Sequence, residues 1–264
     1  MINFNFYEIF NLINKLIFPF SRILSILIMV PVFGEKFLNK RAKILFSIFL
    51  SFLYIKFYKI ENYINLFSNY GLLILLKQIF IGFFFGFIIQ SIFSISIIIG
   101  EILSSQIGLS FSTIFDVSQK WNSSIFSYFI KIFILMTFLS MDGHFWIIYT
   151  IFNSFLLIPI ENLKFSKKIF FLIFYFFANI FYNGILIILS IIILILALNI
   201  MMAILNRTIP QLSVFSIFLP ILLLISLLIL YFYIPININN FVFFLRDSFE
   251  KVNNLKQNLI FYKF

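Results

Sequence analysis

One long segment of the chain carries no charged residue: Ile169–Leu205, with the sequence IFFLIFYFFANIFYNGILIILSIIILILALNIMMAIL. A helix that crosses a bilayer needs about 20 apolar residues, so this segment is too long for one span and slightly short for two. Asn183-Gly184 near its middle is a turn signal. The segment therefore predicts either a helical hairpin broken at Asn183-Gly184 or one span with a re-entrant arm.

The rest of the chain is also strongly apolar. Of its 264 residues, 63% are hydrophobic and 11% are charged, whereas a soluble domain has about 25% charged residues. A soluble protein with so few charges would expose large apolar patches, so the composition predicts a polytopic membrane protein. The formal charge is +10, and the bases lie mostly in short connections, where they favour contact with anionic lipid over nucleic acid. The absence of cysteine excludes disulfides and thiol chemistry.

Apolar blocks recur along the chain, and several are too short or too long for a standard span. They predict an all-α integral membrane protein with about six apolar helical segments, several of them folded as bent helical hairpins. The blocks are Leu16–Phe33, Ile44–Ile55, Leu72–Gly100, Ile125–Phe152 through Asp142-Gly143-His144, Ile169–Leu205 and Leu212–Ile234.

The basic connections do not fit six alternating spans. The connection after the first block is placed on the cytoplasmic side by its positive charge, and the connection around Lys164–Lys168 would then lie on the opposite side. This conflict argues against a simple serpentine, and the irregular blocks favour helices that partner proteins partly shield. The bases of the first connection are Lys36, Lys40, Arg41 and Lys43.

The tail from Phe241 to Phe264 has a different pattern. Apolar residues recur at helical spacing along one side, and charged and polar residues fill the other. The pattern predicts an amphipathic helix, so we divide the chain into a helical membrane domain, residues 1–240, and an amphipathic C-terminal helix, residues 241–264. This helix either lies on the membrane surface or docks onto a partner.

The sequence offers few groups for catalysis. Its one histidine, His144, stands near Asp142 in an apolar run. Four roles are open for these two residues. They pair with each other, cap a helix at Gly143, relay protons, or pack against a neighbouring subunit. A Ser110–His144 dyad lacks the glycine expected two residues after the serine, where Ser112 stands. No carboxylates have the spacing of a magnesium site in a span. The sequence therefore predicts a channel or scaffold, not an enzyme, without metal or cofactor.

Gly82 and Gly86 form a Gly-x-x-x-Gly pair in an apolar run. Small residues at this spacing let two helices approach closely. The pair predicts a packed helix, although the motif alone does not identify the partner, and packing inside the chain is its simplest interpretation.

Four punctuated stretches occur in a fixed order: PVFGE at 31–35, GEILSSQIGLSFSTIFD at 100–116, DGHFWIIYTIFNSF at 142–155 with Pro159, and LNRTIPQLSVF at 205–215 with Pro220. Together they resemble the FliR/SpaR family, the export-gate proteins of flagellar and virulence type III secretion systems. The resemblance covers nearly the whole chain and is greatest to the flagellar branch.

The resemblance implies a place in a larger assembly. Members of the family join FliP and FliQ in a closed helical assembly, and FlhB and FlhA act with it. Unfolded export substrates pass through the central channel, and the gate chains, built from bent hairpins, do no chemistry. The expected location is the bacterial inner membrane, at the flagellar basal body, in contact with membrane lipid and without nucleic acid.

The stretch from Gly108 to Asn122 mixes small hydroxyl, bulky apolar and polar residues. A lipid-facing span would not carry so many polar groups, whereas a channel constriction suits the mixture. The family resemblance supports the same hypothesis, a channel plug; the alternative is a re-entrant turn packed on neighbouring helices. The plug candidates are Gly108, Phe111, Ile114, Phe115 and Asp116.

A polar run separates the last two apolar blocks. A fixed cation between uncharged blocks needs acceptors around it, so this run predicts a subunit contact. The alternative is that Arg207 only caps the preceding helix at its negative end. The contact candidates are Asn206, Arg207, Pro210 and Gln211.

Two other functions stay open at this point. A small-solute transporter would need a broken-helix site repeated in the two halves of the chain, and the sequence has no such repeat. A membrane enzyme would need acid–base or metal-binding residues, in which the sequence is poor.

Overall fold

The fold is entirely helical in the part of the chain that the structure describes. The structure is a computed structural model, and it describes residues 6–33, 39–58, 66–107, 125–160, 167–208 and 219–260. These ranges contain seven α-helices and one short 3₁₀ helix, Pro31–Phe33. The α-helices are α1 (Phe6–Met29), α2 (Lys40–Phe57), α3 (Asn69–Ile107), α4 (Ile125–Ser140), α5 (Gly143–Leu157), α6 (Lys167–Thr208) and α7 (Leu219–Ile260).

Three of the described helices contain stretches long and apolar enough to cross a membrane. These stretches are Asn11–Met29 in α1, Asn69–Ile107 in α3 and Ile180–Leu205 in α6. Two further apolar stretches are broken or bent, namely α4 with α5 and the two arms of α7. The prediction of an all-α membrane protein with apolar segments and bent pairs is confirmed.

The described helices form two compact units. The first unit contains α1, α2, α3 up to Ser91, α5, the start of α6 up to Phe174 and the end of α7 from Val252. The second contains α3 from Ile92, α4, and the parts of α6 and α7 between Tyr175 and Lys251.

The first unit is built on α1. This helix packs against α2, and its Ile23, Ile26 and Leu27 side chains are buried. Buried isoleucines of α3 and α5, such as Ile88 and Ile151, complete the apolar core. A core side chain of this size contributes roughly 1.5–3 kcal/mol of transfer free energy when it is buried.

The second unit depends on close helix contacts. A Cβ atom on Gly100 of α3 would lie 2.1 Å from the Cα of Ser127 in α4, so only glycine fits between these helices. The Ser127 hydroxyl donates to Oε1 of Glu101 at 2.9 Å. The rings of Phe93 and Phe138 then meet edge to face with centroids 5.1 Å apart.

The predicted interruption at Asn183-Gly184 is wrong, because α6 runs unbroken from Lys167 to Thr208. Gly184 instead faces α3, where an added Cβ would lie 2.5 Å from Cγ2 of Ile95. Asn183 donates from Nδ2 to Oδ2 of Asp247 in α7 at 3.2 Å. Both residues pack between helices, so tertiary contacts override the turn signal of this dipeptide.

The chain does break between α4 and α5, at Met141–Asp142. Asp142 has a positive φ of 57°, a left-handed conformation that aspartate tolerates better than most side chains. Its N–H donates to the carbonyl of Leu139 at 3.1 Å. The turn residues therefore end α4 here, inside the apolar block Ile125–Phe152.

The described parts of the last apolar block and of the amphipathic tail lie in one bent helix, Leu219–Ile260. α7 contains Pro235, and its arms Pro220–Tyr233 and Ile238–Val252 meet at 66°. A proline inside a helix removes one hydrogen bond and clashes with the preceding turn, which accounts for the bend.

The apolar face of the second arm packs inside the chain. Phe241 meets Phe133 with ring centroids 5.5 Å apart, and Phe249 meets Phe138 at 5.7 Å. Both partner rings belong to α4. The buried part of the predicted apolar face therefore packs on α4, and a membrane-surface or docking role of this helix stays a prediction.

Candidate functional site

Arg22 is a fully buried cation in the middle of an apolar helix. Its side chain is 0% exposed and lies within the membrane-length stretch of α1. Burying a guanidinium costs on the order of several kcal/mol unless other groups compensate. We call this cluster the Arg22 node. It consists of Arg22, Gln78 and the end of α5, which both side chains contact.

Hydrogen bonds satisfy the guanidinium on three sides. Nε donates to Oε1 of Gln78 at 2.7 Å. Nη1 donates to the carbonyl of Ser154 at 2.9 Å, and Nη2 to the carbonyl of Ile158 at 2.9 Å. Gln78 in turn donates from Nε2 to the carbonyl of Ile160 at 3.2 Å. The node thus joins α1, α3 and the C-terminal end of α5.

The end of α5 supplies these acceptors because the helix stops there. α5 ends at Leu157 and Pro159 follows shortly after. The Ser154 carbonyl accepts from the N–H of Ile158 at 3.1 Å as well as from Arg22, and no further helical turn follows to pair with the carbonyls beyond it. They also carry the negative end of the helix dipole, which favours a cation by up to about 2 kcal/mol when partly buried. The planar fork of arginine reaches several such acceptors at once.

Two aromatic rings form one wall of the node. The guanidinium carbon of Arg22 lies 4.3 Å from the centroid of the Phe155 ring, a cation–π distance. Tyr54 of α2 stacks on the same ring, with centroids 4.2 Å apart. Through this stack α2 is tied to the helices that the hydrogen bonds join.

The Gly82–Gly86 pair lets α3 approach α1 beside the node. A Cβ on Gly82 would lie 2.5 Å from the carbonyl oxygen of Arg22, and one on Gly86 would lie 2.6 Å from Cβ of Met29. Gln78, Gly82 and Gly86 are spaced by four residues and share one face of α3. The structure therefore places the predicted glycine pair against α1, one turn from Gln78.

Arg22 and Gln78 are absent from the sequence-predicted sites, although the sequence contains a signal for both. Arg22 interrupts an apolar block, and an ionisable residue at membrane depth is a functional candidate by default. Gln78 precedes the glycine pair at the same helical spacing. A search for polar residues on the face of a Gly-x-x-x-Gly pair would have found it.

The described contacts of the node connect helices. The acceptors are three peptide carbonyls and one amide oxygen. The donors are the guanidinium of Arg22 and the amide nitrogen of Gln78. Within the described ranges, no three or more His, Asp or Glu side chains are grouped as a metal would require. The arrangement can fix the relative positions of four helices of the first unit.

Asp142 and His144 lie at the junction of α4 and α5. Asp142 is exposed and forms the turn described above. His144 is in the first turn of α5, with its ring centroid 4.2 Å from that of Phe145. The predicted pairing, capping or relay role of these residues stays a prediction.

The plug candidates all lie outside the described residues, as do Pro210 and Gln211. Asn206 and Arg207 are in the last turn of α6, where Arg207 is exposed.

Two residues before the first plug candidate along the chain, Gln106 of α3 contacts Asn199. Asn199 of α6 donates from Nδ2 to the backbone carbonyl of Gln106 at 3.0 Å and lies 3.3 Å from its Oε1. The last turn of α3 is thereby tied to α6.

Comparison with known proteins covers nearly the whole chain. The family described as bacterial export proteins, family 1, matches residues 13–248. The flagellar biosynthetic protein FliR of Buchnera aphidicola subsp. Baizongia pistaciae is 37% identical over 236 residues, which cover 89% of this chain and 91% of that protein. FliR of the Schizaphis graminum subspecies is 36% identical over 264 residues, covering 100% and 99%.

A more distant relative matches over a similar length. FliR of Escherichia coli K12 is 29% identical over 248 residues, which cover 94% of this chain and 93% of that protein. The resemblance that rests on the four ordered motifs is therefore confirmed. The chain belongs to the bacterial export proteins, family 1.

Proposed function

We propose that the chain is a subunit of the flagellar type III protein export gate, where it forms with FliP and FliQ the channel for unfolded flagellar subunits. One observation carries the proposal: similarity to flagellar biosynthetic proteins extends over most of the chain, at 29–37% identity for the relatives above. The matched region, residues 13–248, includes parts of both compact units.

The surface of α6 supports membership of an assembly. Only 17% of an 18-residue apolar window within Ile180–Leu205 is buried within the chain. The buried residues follow a narrow stripe that includes Ile188, Ile191 and Ile195. The remaining apolar surface needs lipid or other subunits to cover it. In the proposed gate, neighbouring subunits cover part of α6 and lipid covers the rest.

The plug hypothesis agrees with the end of α3. The candidates from Gly108 to Asp116 begin one residue after the helix ends, at Ile107. The contact of Asn199 with Gln106 fixes the point at which this segment leaves α3. A fixed origin helps a short segment to return to one closed position after each transport event.

In this proposal Asn206, Arg207, Pro210 and Gln211 contact a neighbouring subunit. Arg207 is an exposed cation at the end of a long apolar helix, where an acceptor on another chain can reach it. FlhB and FlhA act with the assembly, which lies in the bacterial inner membrane at the flagellar basal body. The chain itself carries no cofactor and performs no chemical step.

Co-isolation from membranes tests the proposal. The tagged full chain, expressed with FliP and FliQ of the same genome, should yield a detergent-stable complex that contains all three proteins in a fixed ratio. Arg207→Ala should lower the yield of this complex, whereas Arg246→Ala, at an exposed position of α7, should not. A chain that purifies folded without FliP and FliQ and binds a small solute would instead indicate a transporter.

A further inference from the structure

Helix α2 has its polar side turned inward and its apolar side turned outward. Lys43 is 5% exposed, and the Ser47 and Ser51 side chains are fully buried. On the opposite side, Leu45 is 67% and Phe49 is 58% exposed. A helix that faced water would have the reverse distribution.

The buried hydroxyls of α2 are satisfied within the helix: Ser47 and Ser51 donate to the carbonyls of Ile44 and Ile48, at 2.8 and 2.7 Å. The orientation of α2 is fixed by a contact with α5. Tyr54 is held by its stack on Phe155 beside the Arg22 node. Rotation of α2 about its axis would break this stack, so the outward apolar stripe is a lasting feature of the first unit.

The outward residues follow one stripe along the helix. Their spacing places them on a single face, and the stripe extends about 12 Å along the axis at 1.5 Å per residue. The stripe consists of Ile44, Leu45, Ile48, Phe49 and Phe52, all exposed.

Positive charge lies beyond both ends of this stripe. Lys40 and Arg41 occupy the first turn of α2 and are exposed, and Lys56 lies at the opposite end, in the last turn. The pair at the first turn is the denser cluster. The helix contains no acidic residue. An apolar stripe with cations at its end matches a phospholipid, in which an acyl chain continues into a negatively charged phosphate.

We propose that the outward face of α2 binds an acidic phospholipid. The acyl chain lies along the stripe from Ile44 to Phe52, and the phosphate lies at the first turn beside Arg41. Charge complementarity favours an acidic lipid over a zwitterionic one, since every charged side chain of α2 is basic. The inference is independent of the export function, because it rests on α2 alone.

Spin labelling tests which environment covers the stripe. The chain has no cysteine, so Phe49→Cys gives one label in the full chain, purified with its bound proteins and placed in phosphatidylglycerol–phosphatidylcholine vesicles. Lipid contact predicts that collisions with oxygen exceed those with a water-soluble nickel chelate several-fold. A label shielded from both reagents indicates a protein partner, and a label open to the nickel chelate indicates water; either result overturns the proposal.

The head-group preference is measured with spin-labelled lipids on the same preparation. Arg41→Gln should lower the preference for phosphatidylglycerol over phosphatidylcholine about fivefold, the effect expected for one base near a membrane surface. Arg41→Lys should retain the preference. Arg246→Gln, which removes the same charge from α7, should leave it unchanged. Equal loss in Arg41→Gln and Arg246→Gln, or no preference in the wild type, contradicts an acidic lipid at α2.

Discussion

Nε of Arg22 lies 2.7 Å from Oε1 of Gln78, and this hydrogen bond joins two membrane-length helices, α1 and α3. Both side chains are 0% exposed. Because Gln78 also donates to the carbonyl of Ile160, it connects the cation of α1 to the backbone that follows α5. A hydrogen bond to a charged group contributes about 1.5–3 kcal/mol.

Replacing Gln78 by leucine should lower the free energy of unfolding by about 3 kcal/mol, because the buried Nε–H of Arg22 loses its acceptor. The measurement is an SDS titration of the detergent-solubilised complex of the chain with FliP and FliQ. Gln90→Leu, at an exposed position of the same helix, is the matched control and should change the value by less than about 0.5 kcal/mol. Equal effects of the two substitutions contradict the role of Gln78.

Arg22→Lys should also destabilise the first unit, by about 2 kcal/mol. An ammonium donates from one point and cannot reach Gln78, Ser154 and Ile158 together as the guanidinium does. The same titration measures the change, with Arg246→Lys at an exposed position as the control. If lysine at position 22 supports full stability, the multiple hydrogen bonds do not matter.

Gly82→Ala should cost roughly 1–3 kcal/mol, the usual range for overpacking. Its Cβ would lie 2.5 Å from a backbone oxygen of α1, so the two helices must separate. Gly184→Ala should cost less, since the added atom meets only the side chain of Ile95, which can shift more easily than a backbone oxygen. Thermal unfolding midpoints give the comparison, and the opposite order would show that the α1–α3 contact is loose.

Tyr233→Phe should lower the unfolding free energy by about 1 kcal/mol, the usual contribution of one hydrogen bond. The Tyr233 hydroxyl donates to the carbonyl of Ile187 and accepts from Ser190 at 3.1 Å, so it ties the arm of α7 before Pro235 to α6. Tyr231→Phe is the control, because Tyr231 is exposed on the same arm. No difference between the two variants would exclude a stabilising role for this hydroxyl.

Two similar dipeptides have different outcomes at the α4–α5 junction and within α6. Asp142-Gly143 and Asn183-Gly184 look alike in sequence. Asp142 adopts a left-handed φ, and the chain turns. Asn183 and Gly184 stay helical because Asp247 and Ile95 pack on them. The partners that decide between these outcomes are far away along the chain, so a local pattern cannot distinguish them.

The Arg22 node shows the same limit for a site. The sequence contains a cation within an apolar block, Arg22, and a packing motif at Gly82–Gly86. It does not reveal that they meet, because the acceptors of Arg22 are mainly backbone carbonyls at Ser154 and Ile158. Every residue type has such a carbonyl, so residue identity gives no sign of them. The family, in contrast, follows from ordered motifs and could be recognised from sequence.

In the proposed gate, the chain helps to form a closed protein-conducting channel. The decisive measurement is the ion conductance of the complex of the chain with FliP and FliQ, reconstituted in a planar bilayer. The wild-type complex should be closed, and a variant lacking Phe111–Phe115, or the milder double variant Phe111→Ala with Phe115→Ala, should conduct ions. Phe232→Ala with Phe243→Ala removes two exposed rings of α7 and should leave the channel closed. An assembled complex that stays closed in both plug variants would contradict the claim.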